Sequence, residues 1–283
     1  MKHDCASVRP SPIAGTWYTS NPAQLQQTVD GYIYNAVLPE LPGEVVALVA
    51  PHAGYRYSGA VAGHAFKTVL GESYDTIAVL SPLHQYHPRP ILTSAHSAYQ
   101  TPLGEIPLAV EKLDALDSVL HRELGINLTP IAHDQEHSLE IELPFLQRAI
   151  KEPFELIPLM LRDQTRHVAK ALGEALAKVL QDESCLLVAS SDLSHFYPES
   201  KANQLDQAVL SAVAEFSPDA LFDLKDRGLG HACGLAAIAS VLWAARELGG
   251  TKVTLLSYDT SGSSTSDRTS VVGYGAAAIT RPA

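Results

Sequence analysis

Three apolar runs in this chain stop on groups that can bind a metal or move a proton. VVALVAPH delivers His52, TIAVLSPLH delivers His84, and CLLVASSDLSH ends on Asp192 and His195. Imidazole is the side chain whose charge changes nearest neutral pH. Beside a carboxylate it can act as a metal ligand or as a general acid and base. A histidine after a strand is often only a capping or solvated residue, but three strands ending alike form a pattern. A thiol joins them: Cys233 lies in HACGLAAIASVL, where an apolar helix begins. The unpaired N–H groups of a helix start favour thiolate, the form that binds metal, whereas most lone cysteines are small buried hydrophobes. The densest polar cluster is AHDQEHSLEIELPFL, residues 132–146. Its His133 and His137 superficially match the helical zinc-protease pattern H-E-x-x-H. Asp134, however, stands where that motif requires Glu, and Pro144 forces any helix to kink or restart. Glu136, His137 and Glu140 read instead as groups that line the same crevice and orient ligands or substrate. His3, His64, His87, His96, His121, His167 and His231 lack such a setting and read as structural or solvated.

The elements that must position these groups follow from the apolar pattern. Runs at 45–51, 76–82, 154–161, 185–191, 252–258 and 270–279 read as strands buried on both faces. NPAQLQQTVDGYIYNAV, with Asn21 and Pro22 at its start, RHVAKALGEALAKVLQ and GLAAIASVLWAARELGG have helical character. The alternation predicts an α/β fold with a central, mostly parallel or mixed sheet flanked by helices; the irregular stretch 84–108 suggests insertions or antiparallel strands. In such sheets ligands bind beyond the carboxyl ends of the strands, so parallel neighbours would gather the imidazoles and Asp192 around one crevice.

Composition narrows the class. The chain has 283 residues, 46% of them hydrophobic, with no repeat, low-complexity block or long linker, which predicts a single α/β domain over 1–283. The net charge of −11 is spread along the chain. No Lys/Arg-rich run is present to track a phosphate backbone, which excludes nucleic acid as an expected partner. The start, MKHDCASVRPSPIAG, has no apolar core of a signal peptide, and no segment approaches eighteen unbroken apolar residues. The expectation is a cytoplasmic protein without a membrane partner. Cys5, Cys185 and Cys233 are too few and too scattered for a disulfide framework.

Eight motifs in order, RPSPIAGTWY (9–18), APHAGYRYSG (50–59), SPLH (81–84), TPLG (101–104), EHSLEIELPFL (136–146), SSDLSHF (190–196), ACG (232–234) and SVVGYGA (270–276), resemble the Memo-like family, which includes protein B of the AmmeMemoRadiSam system. The resemblance implies a fold similar to the class III extradiol dioxygenases. It also implies copper or iron held by His52, His84 and Cys233, with Asp192 and His195 beside the metal and His195 similar to the acid/base histidine of the dioxygenases. Two departures stand out. Leu83 occupies the place before His84 where many relatives carry a small polar residue. A thiolate stands where the dioxygenases use a carboxylate, which softens the site toward copper(I) or zinc relative to iron(II). Fold likeness alone does not carry dioxygenase activity across.

The leading expectation is a metal-binding redox protein with a copper- or iron-dependent, dioxygenase-like role. Its ligand would be an unidentified small molecule or peptide, and its associates the AmmeMemoRadiSam partners. His195 would transfer protons, Asp192 would orient His195 or another site group, and His137, Glu140 and Glu136 would shape the substrate side. The sequence leaves open whether any reaction is catalysed. One alternative is a protein that sequesters metal or binds a peptide without turnover; the other is a zinc-dependent hydrolase. In the metal reading, the three donor atoms converge to within roughly 3–4 Å of one another around a bound ion.

Overall fold

The computed structural model describes residues 7–282, so His3 and Cys5 lie outside the described residues. Four of the apolar runs pair side by side as the parallel centre of a sheet: β2 (Glu44–Ala50), β9 (Cys185–Ser190), β3 (Thr76–Pro82) and β8 (Glu155–Leu161), in that order. Their side chains are buried on both faces from the second residue onward, apart from Thr76, which is buried as well. Parallel strands covered by helices have no solvent face, which explains why they read as continuous apolar runs. All four carboxyl ends lie on one edge.

Antiparallel strands extend this centre, so the sheet is mixed. β12 (Val271–Arg281) pairs with β2, and it also carries β11 (Lys252–Thr260) and β10 (His195–Tyr197). On the other side β4 (Ile91–Ser94) runs antiparallel to β8 and parallel to β7 (Thr129–Ile131). A small sheet joins β1 (Val8–Arg9), β5 (Ala98–Thr101) and β6 (Gly104–Pro107). The irregular stretch 84–108 thus holds β4 and the antiparallel β5–β6 pair. The reading of 252–258 as buried on both faces is corrected. Among the described residues β11 pairs only with β12, and most of its side chains are partly or fully exposed.

The helices are α1 (Pro22–Asn35), α2 (Tyr55–Lys67), α3 (Val110–Leu124), α4 (Leu143–Ala149), α5 (Arg166–Leu180), α6 (Glu199–Ala214), α7 (Pro218–Asp226), α8 (Leu235–Glu247) and the short α9 (Gly262–Thr265). Asn21 caps α1, accepting the Gln24 N–H at 3.1 Å, and Pro22 follows it in the first turn. α2 packs on β2, β11 and β12 with α1 against it, while α8 packs on β2, β3 and β9 with α5 and α7 against it. α8 is buried along its first eleven residues, which explains its lack of a polar face. Pro144 acts as a helix start: a 3-10 turn at Glu140–Glu142 gives way to α4 with the proline in its first turn. Among the described residues no helix is long and apolar enough to cross a membrane.

Candidate metal centre

Ala50 and Ser190 are register partners at the ends of β2 and β9, so the chain leaves both strands at one level. His52 therefore arrives beside Ser190–Asp192. Asp192 Oδ1 accepts the His52 backbone N–H at 2.8 Å, and His52 Nδ1 lies 2.9 Å from Ser190 Oγ. Ser190 has one proton to give. The Ser138 carbonyl, 2.5 Å away, can only accept, so Ser190 donates there and accepts Nδ1–H from His52. The lone pair of His52 is thereby left on Nε2, which is 3.1 Å from Cys233 Sγ. The buried Glu142 reaches Ser190 Oγ at 2.8 Å, and its other oxygen has no hydrogen-bond partner among the described residues. Burial pushes the Glu142 acid well above the usual carboxylate range.

His84, one strand further along, is held by a carboxylate. Its backbone N–H donates to Glu136 Oε2 at 2.6 Å and its Nδ1–H to Oε1 at 2.9 Å. Glu136 Oε1 also accepts the backbone N–H groups of His137 and Ser138, both at 3.0 Å. Burial opposes ionisation of Glu136, but the hydrogen bonds and charge of His84 outweigh it and hold the carboxyl well below its ordinary value. For His84, burial lowers the pKa and Glu136 more than compensates, so the net shift is upward. Glu136 thus supplies from another segment the orientation that Leu83 cannot give. It is the arrangement by which carboxylates commonly orient metal-binding histidines.

Cys233 comes from the loop before α8, two residues short of its first turn. Its backbone N–H donates to Asp192 O at 3.1 Å, and Sγ lies 3.3 Å from the Asp192 backbone N. The expectation that the helix start favours thiolate is corrected: burial, and after it the Asp192 charge, push the thiol up. Cys233 Sγ lies 3.1 Å from His52 Nε2 and 3.5 Å from the Asp192 carbonyl oxygen, both of them acceptors for a thiol proton. Close approach here depends on Gly234, because a Cβ at that position would lie 2.5 Å from the Ser190 carbonyl oxygen.

The donor atoms of His52, His84 and Cys233 all lie within 4.8 Å of one another, and a second group of the same kind joins His84, Glu136 and His137. Two imidazoles held at Nδ1 by Ser190 and Glu136, with Nε2 left as the donor atom, and a thiol are a chemically suitable donor set for a soft or borderline metal ion. Asp192 grips His52, and burial lifts its acid to about 7 against the pull of the His52 and Ala53 N–H groups. It makes no hydrogen bond to His195. His195 donates Nδ1–H to the Leu193 carbonyl at 2.8 Å, and burial lowers its pKa, leaving a neutral ring with an unprotonated Nε2. The β10 backbone bulges just after His195, and Phe196 takes a left-handed conformation with φ 63°.

These groups open on a cavity of about 610 Å³ lined by His52, His84, His137, Asp192 and His195, with Trp17 among the other walls. His137 is stacked between Trp17, at 4.0 Å between ring centroids, and His84, at 4.7 Å. Burial lowers the His137 pKa to about 4, so the ring is neutral. Glu140 lies elsewhere. It is fully buried and accepts hydrogen bonds from Arg9, Ser11 and Tyr18, and it is not part of the cavity wall. The structure agrees with the rejection of the H-E-x-x-H match: residues 134–137 are irregular, His133 has φ 59°, and its ring meets His96, not His137.

Sequence reasoning missed Trp17, Ser190, Glu142 and Arg9. Trp17 and Arg9 lie inside the first of the eight motifs, and Ser190 opens SSDLSHF, so order and position were available signals. Glu142 lies inside the fifth motif, EHSLEIELPFL, and in the polar cluster 132–146, so it carried the same signal.

Fold and site define an α/β protein with a mixed sheet and a group of residues suited to metal at the carboxyl edge of its parallel centre. A family model described as "Memo-like protein" matches residues 9–278. A "MEMO1 family protein" of Nitrosopumilus maritimus is 31% identical over 273 residues, covering 95% of this chain and 98% of its relative. Another from Methanosarcina mazei is 32% identical over 272 residues with the same coverage, and one from Aquifex aeolicus is 32% identical over 267 residues, covering 94% and 97%. The chain belongs to the Memo-like family. Among solved structures, an uncharacterized protein from Escherichia coli K12 shares the fold with a TM-score of 0.51 and 15% identity, covering 82% of this chain and 99% of that one.

Proposed function

We propose that this protein holds copper or iron through His52, His84 and Cys233 and uses it in an oxygen-dependent redox reaction on a small molecule or peptide side chain. The observation that carries the reading is the tethering of both imidazoles at Nδ1, by Ser190 and Glu136, with Cys233 Sγ 3.1 Å from His52 Nε2. A bound ion would supply Lewis acidity and electron transfer at that point. The chain's own side chains do the remainder. His195, neutral and bare at Nε2, is suited to take a proton from a ligand in the cavity, while the Trp17–His137 stack offers a flat wall that orients it. Asp192 fixes the His52 backbone. A cavity of about 610 Å³ suits turnover better than a cage closed around its metal, and this favours the reading over sequestration.

Oxygen uptake by protein loaded with iron(II) or copper(I), measured over a panel of aromatic and peptide compounds, tests the reaction. We expect uptake with at least one compound, reduced about 10²–10⁴-fold in His195→Ala with metal content unchanged. Full metal occupancy with no uptake across the panel would leave binding without turnover; equal activity in His195→Ala would remove His195 from the mechanism.

A further inference from the structure

We infer that Arg9, far from the cavity in sequence and not among its lining residues, is a positioning residue for His84. The inference rests on the reading of His84 as a ligand, but its first test needs no metal. Arg9 belongs to β1 and is only 2% exposed. Its guanidinium lies over the Tyr99 ring at 4.7 Å, and all three of its nitrogens are engaged. Nε donates to Asp134 Oδ2 at 3.0 Å, Nη2 to Asp134 Oδ1 at 2.7 Å, and Nη1 to Glu140 Oε2 at 2.6 Å. Nη2 makes one further bond, at 3.0 Å, to the backbone carbonyl of Glu136. Asp134 Oδ1 in turn accepts the Glu136 N–H at 3.1 Å.

Arg9 and Asp134 therefore hold the Glu136 peptide from both sides. Glu136 is the residue whose carboxylate takes both the backbone N–H and the Nδ1–H of His84. Without this clamp, residues 134–137 have no helix or strand to fix them. The same guanidinium reaches the other side of the site through Glu140, which accepts the Tyr18 hydroxyl at 2.7 Å; Tyr18 follows Trp17, the ring stacked on His137. One planar fork thus ties the Glu136 loop to the turn that carries Trp17. Lysine has the charge but not the fork, so it cannot make these bonds together.

The test uses the full chain. In metal-free Arg9→Lys, we expect the His84 Nδ1–H resonance and its tautomer signature in nitrogen-15 NMR to be lost or broadened. Zn²⁺ affinity should then fall about 10–100-fold, the usual effect of removing an outer partner of a metal-binding histidine. Asp134→Asn, which keeps the acceptor for Glu136 N–H but weakens the Arg9 pair, should shift the same resonance and serves if Arg9→Lys does not fold. Leu172→Ala, a core change in α5, is the control for general destabilisation and should leave the His84 signal in place. Glu136→Gln should reproduce the loss. An unaltered His84 tautomer in folded Arg9→Lys or Asp134→Asn, with Glu136→Gln still disrupting it, would overturn the role of Arg9 while leaving the metal reading intact. Absence of metal binding in the unsubstituted protein would overturn the metal reading and leave the NMR comparison to decide on Arg9.

Discussion

Two glutamates stand behind the two imidazoles with their acids shifted in opposite directions. Glu136 is ionised and takes Nδ1–H of His84 directly, whereas Glu142 is buried, its acid pushed well up, and it reaches His52 only through Ser190. The difference is measurable as stability. A carboxyl whose folded pKa exceeds its unfolded value near 4.5 binds more protons folded than unfolded. Its neutral form favours the folded state at low pH, and stability falls as pH rises above the unfolded value. Glu142→Gln, which keeps shape and removes ionisation, should match the parent near pH 4 and be the more stable protein at pH 8. Urea unfolding at the two pH values checks this; an equal loss of stability with pH in both proteins would count against a neutral Glu142. Ser190→Ala removes the partner of His52 Nδ1, and titration should show metal affinity lowered about 10–100-fold.

At the scale of elements, the site depends on how closely the start of α8 meets the end of β9. Gly234 permits that contact, so Gly234→Ala should cost about 1–3 kcal/mol by overpacking and weaken metal binding by moving Cys233 off His52. Unfolding and metal titration in parallel check both parts; a stable variant with unchanged affinity would contradict the dependence. The strand ends were legible in the sequence because a doubly covered parallel strand is a continuous apolar run, and a histidine or aspartate just after it has few places to go but the sheet edge. Cys233 was legible as a thiol at a helix start, but its approach to His52 was not, because that is set by a backbone contact between segments distant in the chain; the family resemblance alone joined it to His52 and His84. Glu140 was placed on the substrate side by proximity to His137, but the 3-10 turn carries it to Arg9, Ser11 and Tyr18. KVTLLSY looked like a core strand because composition does not reveal that, among the described residues, β12 is its one strand partner and its other edge is unpaired.

For the whole molecule, a ligand that binds only the folded state stabilises it by mass action. At a free metal concentration about 100 times Kd the gain is about 2.7 kcal/mol, which for a chain of this size raises Tm by roughly 4–5 °C. The shift should shrink strongly in Cys233→Ser, and calorimetry with and without metal reads it. Cys233 is also what separates this site from a purely nitrogen and oxygen donor set, so the identity of the donors is the central claim. X-ray absorption on untagged protein carrying one equivalent of copper(I) tests it most directly. The account predicts one sulfur and two imidazole scatterers around the metal, with the sulfur lost in Cys233→Ser and one imidazole lost in each of His52→Ala and His84→Ala. A shell of nitrogen and oxygen alone, or a sulfur signal that survives Cys233→Ser, would contradict it.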